Sequence, residues 1–297
     1  MKIVIGVDSN GAYQHALRWV AALGFANPEV YLVAAVEPVR PPLVGVVAPF
    51  PEEVFLEAQR TQRHLAETAL QQASELAQNA GLKPQTLLRE GHASNEVLKT
   101  ADELNADLLA LGASQKSTLQ AFFVGSVVRA ALTSAKQSLL IAHTPPPSDE
   151  GIRAVLATDH SSYNRRCVEL LVQFAPHNLR RLAITTAYEL DDETLQIILK
   201  GMPALGEEGS DWVVEQFHTR NRQVCEMVQP LGASCESVVV QGPIIPSLRE
   251  AISETQSQLL ILGAQGHSLL ERLSLGSISY HFATAEQYNL LILRVPA

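Results

Sequence analysis

The sequence predicts an α/β protein made of two tandem doubly wound sandwiches, each built on a five-stranded parallel sheet. Three observations predict it. The chain has 297 residues, enough for two cores of ordinary domain size. It repeats itself: a shift of 151 residues carries Val4 onto Val155, Asp8 onto Asp159, Gly81 onto Gly232 and Gly91 onto Gly242, with no drift along the copy. Within each copy, short apolar runs alternate with amphipathic stretches, the pattern of parallel strands buried on both faces and joined by helices. At this period each unit is a whole domain rather than one turn of a solenoid. The run Pro145-Pro146-Pro147-Ser148-Asp149-Glu150 separates the copies. Prolines cannot continue a ladder, so the first domain is residues 1–145 and the second 151–297.

Each element follows in order. Residues 3–7 are a β-branched run and form the first strand. Ala16, Leu17, Val20 and Leu23 then recur at the spacing of one helical face, and the second copy puts Cys167, Val168, Leu171 and Phe174 in the same columns. The apolar run 30–36 is the second strand, followed by a proline-rich loop through Pro51 and a long Glu/Gln/Ala-rich helix over residues 52–80. A third strand at 86–89, a helix over 94–104, a fourth strand at 108–111, a helix after Ser126 and a fifth strand at 138–142 complete the copy. Right-handed crossovers make this a doubly wound sheet, whose ligands bind beyond the carboxyl ends of the strands.

Composition removes several classes of function. Apolar residues are 46% and charged residues 18% of the chain, a globular balance that excludes disordered, collagenous and disulfide-scaffold proteins. The net charge of −9 leaves no broad basic surface for nucleic acid or anionic membrane. No apolar stretch approaches the roughly 20 residues that span a bilayer. Cys167, Cys225 and Cys235 lack zinc-ribbon or C-x-x-C spacing, and the N-terminus runs into a strand without an export signal. The expectation is a reduced, cytoplasmic protein.

The chemistry concentrates beyond the fourth strand of the second copy. There Gly263-Ala264-Gln265-Gly266 is followed, after nine residues, by Gly276-Ser277, giving G-x2-G-x9-G-S. A glycine at a strand end lets backbone approach a bulky anion, and a second can take the positive φ of a tight turn. Gly276 and Ser277 open a helix, whose free N–H groups and positive dipole end form a phosphate cradle. In the first copy the pattern is Gly112-Ala113-Ser114-Gln115, then Gly125-Ser126, so Gln115 stands at the second glycine position. Glutamine is disfavoured at positive φ and its side chain competes for phosphate space, so the first copy is weakened.

With Asp159 at the end of Ala-Val-Leu-Ala-Thr-Asp-His-Ser, the Gln241-Gly242-Pro243 turn and the glycine pattern from Gly263 to Ser277, the chain resembles the universal stress protein family, as two tandem copies over nearly its whole length. The resemblance implies strand order 3-2-1-4-5 in each copy and ATP, ADP or AMP as ligand. It implies that Thr158, Asp159 and the backbone near Ala187 hold adenine and ribose, and that Gly263, Gly266, Gly276, Ser277 and Ile278 hold the phosphates. Mg2+ or a similar cation is expected with the nucleotide, because several phosphate charges must be balanced in a protein that is itself negative. The matching positions of the first copy, Asp8, Val36, Gly112, Gly125, Ser126 and Val127, would form the weaker second site. It further implies that residues 138–142 and 289–295 pack as an internal pseudo-dimer, which would hide two sheet edges. Whether two chains then associate as a homodimer stays open.

Other motifs fail on chemistry. Lys116-Ser117 lacks the glycines of a Walker A loop, and Asp8 holds the middle glycine place of a Rossmann fingerprint, where it would repel pyrophosphate. A carboxylate there suits a ribose or base edge, or alternatively caps the next helix. The nine histidines form no metal-binding spacing, and Ser161 and Ser162 beside His160 have no nucleophile elbow. Trp19 and Trp212 read as core or interface residues; His267, Arg272 and Lys116 read as solvated loop residues that could also face phosphate; and the apolar loop 39–50 either covers the cleft or folds back on its domain. With no positioned base or arginine finger in view, the reading is a stress-response protein that binds an adenine nucleotide in its second domain and acts through that state, with an unidentified protein partner. The alternatives are a nucleotide-independent interaction module and a slow ATP hydrolase.

Overall fold

In the computed structural model of the chain, the described residues are 1–39, 52–113, 125–148, 151–190, 209–265 and 275–295. They divide into two compact units, Met1–Ala21 with Asn27–Pro145 and Ala22–Ala26 with Pro146–Ala297. The first unit runs β1 (Lys2–Gly6), α1 (Tyr13–Leu23), β2 (Glu29–Val36), α2 (Glu52–Asn79), β3 (Pro84–Glu90), α3 (Ala93–Glu103), β4 (Leu108–Gly112), α4 (Ser126–Ser134) and β5 (Ser138–Ala142). The second runs β6 (Ile152–Ala157), α5 (Ser162–Phe174), β7 (Leu179–Tyr188), α6 (Gly209–Val228), β8 (Ser234–Gln241), α7 (Ile244–Glu254), β9 (Leu259–Gly263), α8 (Ser277–Ala285) and β10 (Asn289–Leu293).

All pairings within each unit are parallel. β1 lies between β2 and β4, with β3 beyond β2 and β5 beyond β4, so the order is 3-2-1-4-5. β6 lies between β7 and β9 in the same way, with β8 and β10 outside them. The inner strands are apolar because both faces are covered: Ile3, Val4, Ile5, Leu108, Leu109 and Ala110 are fully buried. β3, beside β2 alone within its unit, has a half-exposed polar pattern and starts on Pro84, where a missing N–H costs least. Winding turns one way from β1 to β2 to β3 and the other way from β1 to β4 to β5. The crevice for a ligand is therefore beyond the ends of β1 and β4, and of β6 and β9.

The two units differ by one residue. β6 pairs Ile152 with Leu179 but Arg153 with Arg181, so β7 carries a one-residue slip at Arg180. From there Ala154 pairs with Leu182, whereas its repeat partner Ile3 pairs with Val30. The β2 counterpart of Ala187 is thus Ala35, and the constant shift that pointed to Val36 is corrected by the bulge.

The expectation of three reduced cysteines is also corrected. Cys225, in the last turn of α6, is bonded to Cys235, the second residue of β8, with Cα atoms 5.6 Å apart. A 3-10 turn at Gln229–Leu231 and Gly232, at φ 73°, fold the chain back so that the two meet. C-x9-C carries no motif of its own; the reversal creates the proximity. Cys167 is a buried free thiol. Burial pushes its pKa up to about 12, so it stays protonated. The cysteines therefore no longer argue for a reducing compartment. Among the described residues no helix is long and apolar enough to cross a membrane.

Trp19 is fully buried in the first unit, its Nε1 donating to the Thr144 carbonyl at 2.7 Å, whereas Trp212 is only half-buried. His143 is buried too, and its pKa falls to about 4, first through burial and second through the charge of His15. Because the fold disfavours its charged form, the unfolded chain takes up the proton first. Stability is full above pH 6.5 and is lost as pH falls towards 4, by on the order of 3 kcal/mol. Urea unfolding at pH 7, 5.5 and 4 should show this loss in the native chain and a shallower one in His143→Gln; equal slopes would refute the assignment.

Candidate functional site

The second unit has a cavity of about 350 Å3 beyond the ends of β6 and β9. Of the eight residues expected there, Thr158, Asp159, Ala187, Gly263, Gly276, Ser277 and Ile278 line it. Gly266 lies outside the described residues, as do His267 and Arg272. Local chemistry builds each wall. Ser161 caps α5 by accepting the Asn164 N–H at 3.1 Å, while Asp159 turns the loop by accepting the Ser161 N–H at 2.9 Å. Asp159 is therefore a turn residue and not the helix cap. Thr158 donates its hydroxyl to Asn164 Oδ1 at 2.7 Å, and Asn164 Nδ2 donates to the Ala157 carbonyl at 3.2 Å.

The other wall is the start of α8. The Gly276 N–H donates to the Ala264 carbonyl at 2.7 Å, and Ser279 Oγ donates to the Gly263 carbonyl at 2.8 Å. These bonds hold the helix start beside the end of β9. The first N–H groups of α8 have no acceptor within the helix and begin at the cavity. Sequence reasoning missed Asn164, Thr185, Ile244, Leu248, Gln265 and Ser279, which line the same cavity. Asn164 had a signal, a polar residue on the inward face of α5; Ile244 and Leu248 had none, because α7 reaches the cavity only through the crossover from β8.

The first unit has a larger cavity, about 810 Å3, in the corresponding place. Asp8, Gly112, Gly125, Ser126 and Val127 line it, whereas Val36 does not; Ala35 does, as the register requires. Gln115 and Lys116 lie outside the described residues, as do residues 40–50 of the apolar loop 39–50. Asp8 behaves differently from Asp159: its carboxylate accepts the N–H of Tyr13, the first residue of α1, and of Asn10, both at 3.2 Å. The cavity also has a second carboxylate, Glu37, whose Oε1 accepts the Ala93 N–H at 2.9 Å.

Gly112 and Gly263 end equivalent strands for different reasons. A Cβ on Gly112 would stand 1.9 Å from the Ala12 carbonyl oxygen, so the chain's own backbone occupies that space. A Cβ on Gly263 would meet its nearest neighbours, Cys167 Sγ and Tyr163 Cε1, at 3.4 Å. At Gly112 the chain's own packing is by itself enough to require glycine.

A buried polar chain runs behind the second cavity. His160, at φ 58°, sits between its ring contact to Thr186 Oγ1 at 2.9 Å and its N–H donation to Thr158 Oγ1 at 3.1 Å. Thr186 donates to Asn221 Oδ1 at 2.8 Å, and its single proton is spent there, so His160 Nε2 carries the proton towards it. Burial first, and Arg220 second, lower the His160 pKa against the opposing charge of Asp159, which keeps the neutral ring. Among the described residues no group of three or more His, Cys, Asp or Glu is placed to hold a metal ion.

Fold and cleft together define a doubly wound α/β protein with a cavity of mixed apolar and polar lining at the topological switch point of its second unit. The model of the universal stress protein family matches residues 1–143 and again 153–286, and the chain belongs to that family as a tandem of two copies. A universal stress protein of Methanocaldococcus jannaschii, MJ0531, is 28% identical over 148 residues, covering 48% of this chain and 82% of that protein. The solved universal stress protein of Archaeoglobus fulgidus DSM 4304 is similar over 99% of this chain and 98% of its own, at 15% identity and TM-score 0.63. A putative universal stress protein of Pseudomonas aeruginosa UCBPP-PA14 is similar over 98% and 92%, at 12% identity and TM-score 0.61.

Proposed function

We propose that the second domain, residues 151–297, binds ATP or a related adenine nucleotide, and that the chain acts as a nucleotide-dependent regulatory or interaction protein. The observation that carries this reading is the sharing of one cavity by Thr158, Asp159, Ala187, Gly263, Gly276, Ser277 and Ile278, which are distant in sequence. The donor set fits the ligand. An ionised Asp159 only accepts hydrogen bonds, which suits ribose hydroxyls or an adenine amine, and the small side chains of Thr185 and Ala187 leave room for a flat base. The first N–H groups of α8 and the Ser277 hydroxyl are donors suited to phosphate, with the helix dipole behind them. Mg2+ or a similar cation would accompany the phosphates, offsetting charge on a chain that is itself at −9. The first domain is the weaker site, since Asp8 and Glu37 put two carboxylates on its cavity, where phosphates would be repelled.

Mass spectrometry of protein denatured straight from purification, with ATP and ADP titrations by calorimetry, tests the reading. The expected result is co-purifying adenine nucleotide or a measurable heat of binding. Neither signal would leave a nucleotide-independent interaction module. Steady-state turnover above about 1 per second would make the protein an enzyme in its own right.

A further inference from the structure

We propose that Cys225 and Cys235 form a thiol–disulfide exchange site whose redox state sets the affinity of the second-unit cavity for its nucleotide. The inference rests on the adenine-nucleotide reading above.

Both cysteines are half-exposed, and β8 lies on the outer side of its unit's sheet, next to β7. His218, Asn221 and Cys225, at spacings of three and four, form one stripe of α6. Each member of the stripe holds β8: His218 Nδ1 lies 2.7 Å from Ser237 Oγ, Asn221 Nδ2 donates to the Val238 carbonyl at 3.1 Å, and Cys225 is bonded to Cys235.

Asn221 extends that attachment to the cavity. It is fully buried, donates also to the Ile184 carbonyl at 3.0 Å, and accepts from Thr186. Thr186 lies between Thr185 and Ala187, which line the cavity; His160, bonded to Thr186, follows Thr158 and Asp159, which line its other side. Proton directions along this chain are fixed. Thr186 spends its proton on Asn221, so the His160 ring donates to Thr186 through Nε2, while the His160 backbone N–H donates to Thr158, whose own proton goes to Asn164. A helix that shifts at Asn221 leaves buried partners unsatisfied, and the structure answers by moving the strand ends that wall the cavity.

The first unit has neither the staple nor the chain. Ser74 and Pro84 stand where Cys225 and Cys235 do, Leu70 replaces Asn221, Ala34 by strand register replaces Thr186, and Ser9 and Val7 replace His160 and Thr158. The disulfide and the polar relay thus occur together, in the unit with the complete glycine motif.

The reaction partner is a low-molecular-weight dithiol. Its thiolate attacks one sulfur, the Cys225–Cys235 bond breaks and a mixed disulfide forms. The second reagent thiol then displaces the protein cysteine. The protein gains two thiols, and the reagent leaves as a cyclic disulfide, having supplied two electrons and two protons. Cys167, buried and protonated, does not compete.

The test uses the full chain, oxidised or reduced with dithiothreitol, and the C225S/C235S double variant. ATP affinity is read by calorimetry, and thiols are counted by alkylation and mass spectrometry under denaturing conditions. Reduction should add two alkylated cysteines and weaken ATP binding by about fivefold or more. The double variant should show the weaker affinity in both conditions. If that variant does not fold, reduction of the native chain supplies the same comparison. Equal affinity in the two redox states, or no gain of thiols, overturns this inference alone. ATP binding in neither state overturns the nucleotide reading, and this inference with it.

Discussion

Replacing Gly112 by alanine is expected to destabilise the first unit by about 3 kcal/mol, while Gly263→Ala, at the equivalent position of the second, should cost less than about 1 kcal/mol. The difference is steric. The new Cβ in Gly112→Ala stands 1.9 Å from the Ala12 oxygen, 2.2 Å from its carbonyl carbon and 2.8 Å from the Tyr13 nitrogen, all of them backbone atoms. Backbone cannot rotate away as a side chain can. The loop would have to retreat, and the Tyr13 N–H donation to Asp8 would be lost as it did so. In Gly263→Ala the nearest atoms are 3.4 Å away and belong to the side chains of Cys167 and Tyr163, which can give by a few tenths of an ångström. Urea unfolding of both variants beside the native chain decides the matter. Equal losses would mean that the loop over Gly112 is not held where the geometry puts it.

A Ser277→Asp variant should separate binding from folding. Ser277 is the first residue of α8, where a carboxylate meets the positive end of the helix dipole and stabilises the helix by a few tenths of a kcal/mol to about 1 kcal/mol. The same charge faces the cavity and would repel phosphate. ATP affinity should fall by on the order of 10- to 100-fold, with the melting temperature unchanged or raised. Adenosine, which has no phosphate, should bind the variant as it binds the native chain. Ser126→Asp, the matching change in the first unit, should leave the ATP affinity read in this experiment unchanged. Retained ATP affinity in Ser277→Asp would mean that the phosphates are not seated at the start of α8.

Much of this architecture was legible in the residues because burial writes a local period. The run Leu108-Leu109-x-Leu111 and its repeat Leu259-Leu260-x-Leu262 are apolar throughout because both faces of β4 and β9 are covered, and the structure puts the strands there. Helix starts were legible for a similar reason, as Gly125-Ser126 and Gly276-Ser277 each stand where α4 and α8 begin. The cavity of the second unit was legible in part. Strand-end residues such as Asp159 and Gly263 announce themselves, whereas Leu248, an ordinary apolar residue on α7, reaches the cavity only after the crossover has folded.

By itself the sequence determined the duplication, the alternation of strand and helix, and the strand ends at which to look for a ligand, since each depends on composition and period along a few neighbouring residues. The tertiary structure alone decided the one-residue slip at Arg180, which makes Ala35 the first-unit counterpart of Ala187; the joining of Cys225 to Cys235; and the backbone packing that makes Gly112 a glycine. These depend on which segments lie side by side once the sheet has wound. Register, disulfide reach and close backbone approach are distances between residues far apart in the chain, and no local period encodes such a distance.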